Sequence, residues 1–165
     1  MLRSLHATHP ALVALCAMGS ACEPHADVDL VLYDQCRNPV AFQDTRSVRV
    51  SLLGEARFDP GGNLFACEQQ SACFDLEAPS FEALRDGLRA RGAVLSAKPG
   101  VGQGVVVTGF RDPGCLPLAP TAPLTFCGYQ LAPLPDEDTE LFVLLSCPDG
   151  IERVCWPHLF VEGCQ

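Results

Sequence analysis

Cysteine is the residue that most limits how this chain can fold. Ten occur in 165 residues, and eight fall between positions 36 and 164: Cys36, Cys67, Cys73, Cys115, Cys127, Cys147, Cys155 and Cys164. So many thiols in a chain of this length point either to metal binding or to disulfides formed in an oxidising compartment. The spacing decides between them. Successive gaps hold 30, 5, 41, 11, 19, 7 and 8 residues, so no C-x2-C pair exists, and that pair is the usual nucleus of a zinc site. After position 21 the only histidines are His25 and His158, too far apart to form a ligand pair. All eight cysteines are therefore expected in four disulfides, with no metal site and no cofactor. Two local bridges are favoured, Cys67–Cys73 and Cys115–Cys127, because each brackets a short segment. Each bridge is expected to contribute about 2–4 kcal/mol by restricting the unfolded chain.

The N-terminus explains how the chain would reach such a compartment. Arg3 precedes an apolar run from Ala11 to Met18, and Gly19-Ser20-Ala21 follows. This charged, apolar, small-residue order is that of an export signal. The apolar run falls short of the roughly 20 residues a membrane-spanning helix needs. Pro10, Gly19 and Ser20 interrupt any helix at both ends. The ending Gly19-Ser20-Ala21-Cys22 resembles the box of bacterial lipoproteins, although Gly19 stands where that family prefers Leu. The resemblance implies that Cys22 becomes the first mature residue and carries acyl chains, each buried CH2 adding about 0.8 kcal/mol of membrane affinity. Cysteine parity agrees with it. Cys16 leaves with the signal, and acylation of Cys22 leaves an even eight. The alternative is a cut after Ala21 by ordinary signal peptidase, which would leave an odd thiol. The expected organisation is a signal peptide over 1–21, a tether over 22–26 and one domain over 27–165. The protein is expected in the cell envelope, at the outer membrane as a lipoprotein; the alternative is a soluble periplasmic or extracellular protein.

Alternating and β-branched runs predict strands at Asp27–Tyr33, Ser47–Leu53, Ala93–Ala97, Val105–Phe110, Leu124–Leu131 and Glu140–Ser146. The last of these is the most apolar and is expected at the centre of a sheet. Residues 63–76 read as a short strand pair or a loop, and residues 34–45 as a loop. Asp59-Pro-Gly-Gly-Asn63 is a turn, since Pro60 presets φ and the glycines accept positive φ. One helix is expected from Ser80 to Arg91. Ser80 caps it, Phe81, Leu84 and Leu88 share a stripe, and Gly92 ends it. Short strands with Gly/Pro turns and one small helix predict a mainly β fold. The expected form is a disulfide-stapled immunoglobulin-like β-sandwich; the alternative is an α+β fold with the helix on one antiparallel sheet.

Charge narrows the partners. Loss of the signal removes Arg3 and no acid, leaving ten basic and twenty acidic residues. That field opposes nucleic acid and anionic lipid headgroups. It leaves a protein, carbohydrate or cation ligand, besides the membrane reached through an acylated Cys22.

Motifs for chemistry are sparse. Gly100-Val-Gly-Gln-Gly104 lacks the G-x-G-x-x-G order and precedes a strand, so it reads as a hairpin turn. Cys155-Trp-Pro-His158 sets a thiol near an imidazole, but Cys155 is expected in a disulfide. Asp136-Glu-Asp-Thr-Glu140 is oxygen-rich without the order of a calcium loop; Asp27 and Asp29, on one strand face, would join it only if the fold brings them near. No catalytic residue is assigned. The expectation is a non-enzymatic, lipid-anchored binding or structural module. The alternative is a secreted hydrolase using carboxylates or a metal ion.

Overall fold

The computed structural model describes residues 26–36, 40–93, 95–97, 104–115, 124–132, 139–147 and 159–163. Among these, ten elements follow in chain order: β1 (Ala26–Asp34), α1 (Val40–Gln43), β2 (Ser47–Phe58), β3 (Leu64–Asp75), α2 (Phe81–Ala90), β4 (Leu95–Ala97), β5 (Gly104–Phe110), β6 (Leu124–Leu131), β7 (Thr139–Leu145) and β8 (Leu159–Gly163). The strands form two sheets, a three-stranded one in the order β4-β1-β7 and a five-stranded one in the order β6-β5-β2-β3-β8. The fold is mainly β, two-layered and stapled by disulfides, as its strand-rich sequence predicts.

The alternation of each strand sets the layers. On β1, Val28 and Leu32 are buried; on β7, Leu141, Val143 and Leu145; on β2, Val48, Val50 and Leu52; on β5, Val105 and Val107. These side chains meet in one core between the sheets. Helix α2 adds Leu84 and Leu88 to it. The Ser80 side chain caps α2 by accepting from the Ala83 amide at 3.2 Å. Within the segment expected as a loop, α1 adds Phe42, whose ring lies 5.5 Å from that of Phe126 and 5.8 Å from that of Phe81.

The sheets meet where β6 runs close to β7. Cys127 and Ser146 exchange both backbone hydrogen bonds, at 2.9 and 2.8 Å. Gly128 permits this approach: a Cβ there would stand 2.3 Å from the Leu144 carbonyl oxygen. The β2–β3 hairpin closes at the expected turn. The Asp59 carboxylate accepts from the Asn63 amide at 2.8 Å and from Asn63 Nδ2 at 2.7 Å, and Gly62 takes φ +82°. Those bonds from Asn63 hold the Asp59 carboxyl below its ordinary pKa.

Two expectations about strands are corrected. Residues 64–75 are one continuous strand paired with β2, not a loop or a short strand pair. Strand β7 is not central, because it lies at an edge of the three-stranded sheet. The strand buried throughout is β5, all seven of whose residues are buried. Its Val-Val-Val run is the stronger sign of a strand covered on both faces.

The disulfides are corrected as well. Cys73 pairs with Cys115, with Cα atoms 5.8 Å apart, and Cys36 pairs with Cys147, with Cα atoms 5.0 Å apart. A Cys67–Cys73 bridge is geometrically closed to this chain. Both residues lie on β3, and six steps of extended backbone separate their Cα atoms by about 20 Å, whereas a bridge needs less than about 7 Å. Because Cys115 is taken by Cys73, a Cys115–Cys127 bridge is ruled out too. Cys67 and Cys127 are themselves disulfide-bonded.

Candidate interaction face

β1 and β7 run parallel, with Asp29 opposite Glu140, Val31 opposite Phe142 and Tyr33 opposite Leu144. Residues at these positions point away from the core, since the alternate residues Val28, Leu32, Leu141, Val143 and Leu145 fill it. The outer face of this pair is therefore apolar toward the strands' C-terminal ends and acidic toward their N-terminal ends. Tyr33, Phe142 and Leu144 are 47, 49 and 46% exposed, and the rings of Tyr33 and Phe142 lie 6.0 Å apart. Neither strand carries a basic residue. The ion pairs found among the described residues join Arg46–Glu77, Arg49–Glu68, Arg85–Asp86 and Arg111–Asp44, and none reaches Asp29 or Glu140. A shallow groove lies between β1 and α2, lined by Asp29, Leu30, Leu32, Arg85, Leu88, Arg89, Gly92 and Ala93.

The corresponding face of the five-stranded sheet is polar but closed. Arg49 on β2 donates from Nε and Nη2 to Glu68 on β3 at 3.0 and 2.6 Å, and Ser51 donates to the same carboxylate at 2.5 Å. The two charged side chains are only 17 and 21% exposed. Burial pushes the Glu68 carboxyl up, but the hydrogen bonds from Arg49 and Ser51 and the Arg49 charge outweigh it and hold it below its ordinary value. Beside this network Val106, Cys127, Leu53, Leu64 and Ala66 form a second buried cluster. Both oxygens of the Glu68 carboxylate accept from Arg49, in a geometry that suits a structural brace.

The Cys73–Cys115 bridge anchors a tight turn after β5. Cys115 takes φ +43° after Gly114 at φ +83°. The buried Ser47 hydroxyl donates to the Asp112 carbonyl at 2.6 Å and accepts from the Cys115 amide at 3.1 Å. The Asp75 carboxylate accepts from the Gly114 amide at 2.7 Å, and Arg91 donates to the Asp75 carbonyl.

Other expected positions fare unevenly. Cys22, Cys155, His158, Cys164 and residues 100–103 and 133–138 lie outside the described residues. Of the acidic run over 136–140, Glu140 is described, and the fold sets it beside Asp29. That pairing was not legible in the sequence, because it depends on the parallel register of strands more than a hundred residues apart. Among the described residues no group of three or more His, Cys, Asp or Glu side chains is placed to hold a metal ion. Among them, too, no helix is long and apolar enough to cross a membrane. No protein family, no curated protein and no solved structure matches this chain.

Proposed function

We infer that this is an exported protein of the cell envelope, held at the membrane through an acylated Cys22, whose folded domain acts by binding. The observation that carries the reading is oxidation. Every described cysteine is disulfide-bonded: Cys36, Cys67, Cys73, Cys115, Cys127 and Cys147. Disulfides in such number belong to oxidising compartments, and the N-terminal segment supplies the route there. The short tether from Cys22 to β1 would hold the domain against the membrane face. Binding is favoured over hydrolysis by the two carboxylates the fold does bring together. Asp29 and Glu140 are side-by-side register partners on a sheet face beside apolar side chains, and the groove that Asp29 borders does not include Glu140.

The test is fractionation of cells producing the full chain and its Cys22→Ser variant, with intact mass measured after alkylation without reduction. Acylation predicts a native mass that begins at Cys22 with acyl chains and no alkylated thiol, and release of the Ser variant into the soluble fraction. A Ser variant that stays in the membrane overturns the anchor.

A further inference from the structure

We propose that the outer face of β1 and β7 is the docking surface for a protein partner that presents an apolar ridge with basic residues at one end. The proposal rests on the reading of the domain as a binding module, but not on the lipid anchor.

Three observations converge on this face. First, β7 has the sequence of a strand buried on both sides, Leu-Phe-Val-Leu-Leu, yet only one side is covered. Phe142 and Leu144 are about half exposed, while Leu141, Val143 and Leu145 are buried. A run apolar on both faces normally belongs to a strand covered on both. Second, the apolar positions are contiguous. Val31, Tyr33, Phe142 and Leu144 are neighbours across two hydrogen-bonded strands, so they form one patch. Contiguous apolar patches on soluble domains mark interaction sites, whereas scattered single residues do not. Third, Asp29 and Glu140 sit side by side at one end of that patch. Neither carboxylate takes part in an ion pair found among the described residues, although Arg85 and Arg89 of α2 line the groove that Asp29 borders.

The charge selects the occupant. A second copy would bring the same carboxylates to the contact, in a chain with formal net charge −9. An anionic lipid surface would be repelled in the same way. A partner with Lys or Arg beside its apolar ridge would pair with Asp29 and Glu140 and cover Phe142 and Leu144 together. The separation fixes its layout. Four steps of strand separate Asp29 from Tyr33, so the basic group must stand about 13 Å from the far end of the ridge. A bare carbohydrate suits the patch less well, because Val31, Phe142 and Leu144 have no hydrogen-bonding groups to offer it.

The probe is a synthetic amphipathic helical peptide with a Leu/Phe ridge and Lys at one end, titrated into the oxidised full chain carrying Cys22→Ser. Hydrogen exchange locates the contact. The expected result is protection confined to β1 and β7, with affinity falling as salt rises. Phe142→Ser and Glu140→Lys should each weaken binding about tenfold. Phe58→Ser should leave it unchanged, although Phe58 on β2 is 58% exposed. If Phe142→Ser proves unfolded by near-UV circular dichroism, Glu140→Lys decides, since that side chain is exposed. Protection elsewhere, or equal losses for Phe142→Ser and Phe58→Ser, overturns the proposal. So does a concentration-dependent dimer abolished by Phe142→Ser, or binding of phosphatidylglycerol vesicles through this face. Loss of the docking result with Cys22→Ser still released from membranes leaves the anchor standing, and the converse leaves the docking face standing.

Discussion

The two sheets share one core but differ on their outer faces. Outside the five-stranded sheet, β5 is buried along its whole length, and Arg49 and Glu68 are paired with each other. Outside the three-stranded sheet, aromatic and aliphatic side chains are about half exposed, and Asp29 and Glu140 are register partners outside the ion pairs found among the described residues. One sheet is finished within the chain and the other is not. Folding alone accounts for the first arrangement. The second is a burden on the isolated domain, which is how a surface shaped for another molecule differs from one shaped for stability.

The sharpest way to break this comparison is to place the same charge on both faces. Val106→Asp, outside β5, is expected to cost about 4 kcal/mol or more, because it buries an unpaired carboxylate. Phe142→Asp, outside β7, should stay within about 1 kcal/mol. Midpoints of urea unfolding at unchanged slope read the difference; equal losses would show that the two faces are alike. Removing the Cys36–Cys147 bridge with paired Ala substitutions is the next largest effect, about 2–5 kcal/mol. It ties the end of β1 to the end of β7, so the loss should appear first as faster hydrogen exchange in the three-stranded sheet, with β2 and β5 protected longer.

A smaller change sharpens the contrast between paired and unpaired charge. Glu68→Gln should cost about 1–2 kcal/mol at neutral pH by weakening bonds to a charged acceptor. The Glu68 carboxyl is held below its ordinary value of 4.5 in the folded state. Its contribution is therefore present above the unfolded value and disappears as pH falls through the folded one. Stability curves of the native chain and the variant should converge as the pH falls through that lowered value; a gap that stays constant with pH would show that charge is not what the brace uses.

How much of this was legible follows from what each residue had to reveal. Local periodicity was enough for α2, where Ser80 caps and Leu84 and Leu88 point inward, and for the Asp59–Asn63 turn. The presence of disulfides followed from cysteine density. Their partners did not, because Cys73 and Cys115 meet only after β2, β3 and β5 have paired. Short gaps misled here: two cysteines five residues apart in sequence are close only if the chain turns between them, and β3 does not. The interaction face was hidden for a related reason. An apolar run such as Leu141–Leu145 cannot say whether both of its faces will be covered. Its alignment with Asp29, Val31 and Tyr33 is a long-range parallel register.

The parallel β1–β7 pair has a mechanical consequence. A pull on the N-terminus enters the domain along β1, whose seven register pairs with β7 lie across the direction of the load. They would share tension in shear instead of opening one at a time. Cys36–Cys147, at the far end of both strands, acts as a covalent stop against sliding. A pull applied upstream of Ala26, as the proposed anchor at Cys22 would deliver it, would thus be met along the whole seam at once, and would leave the outward face in register.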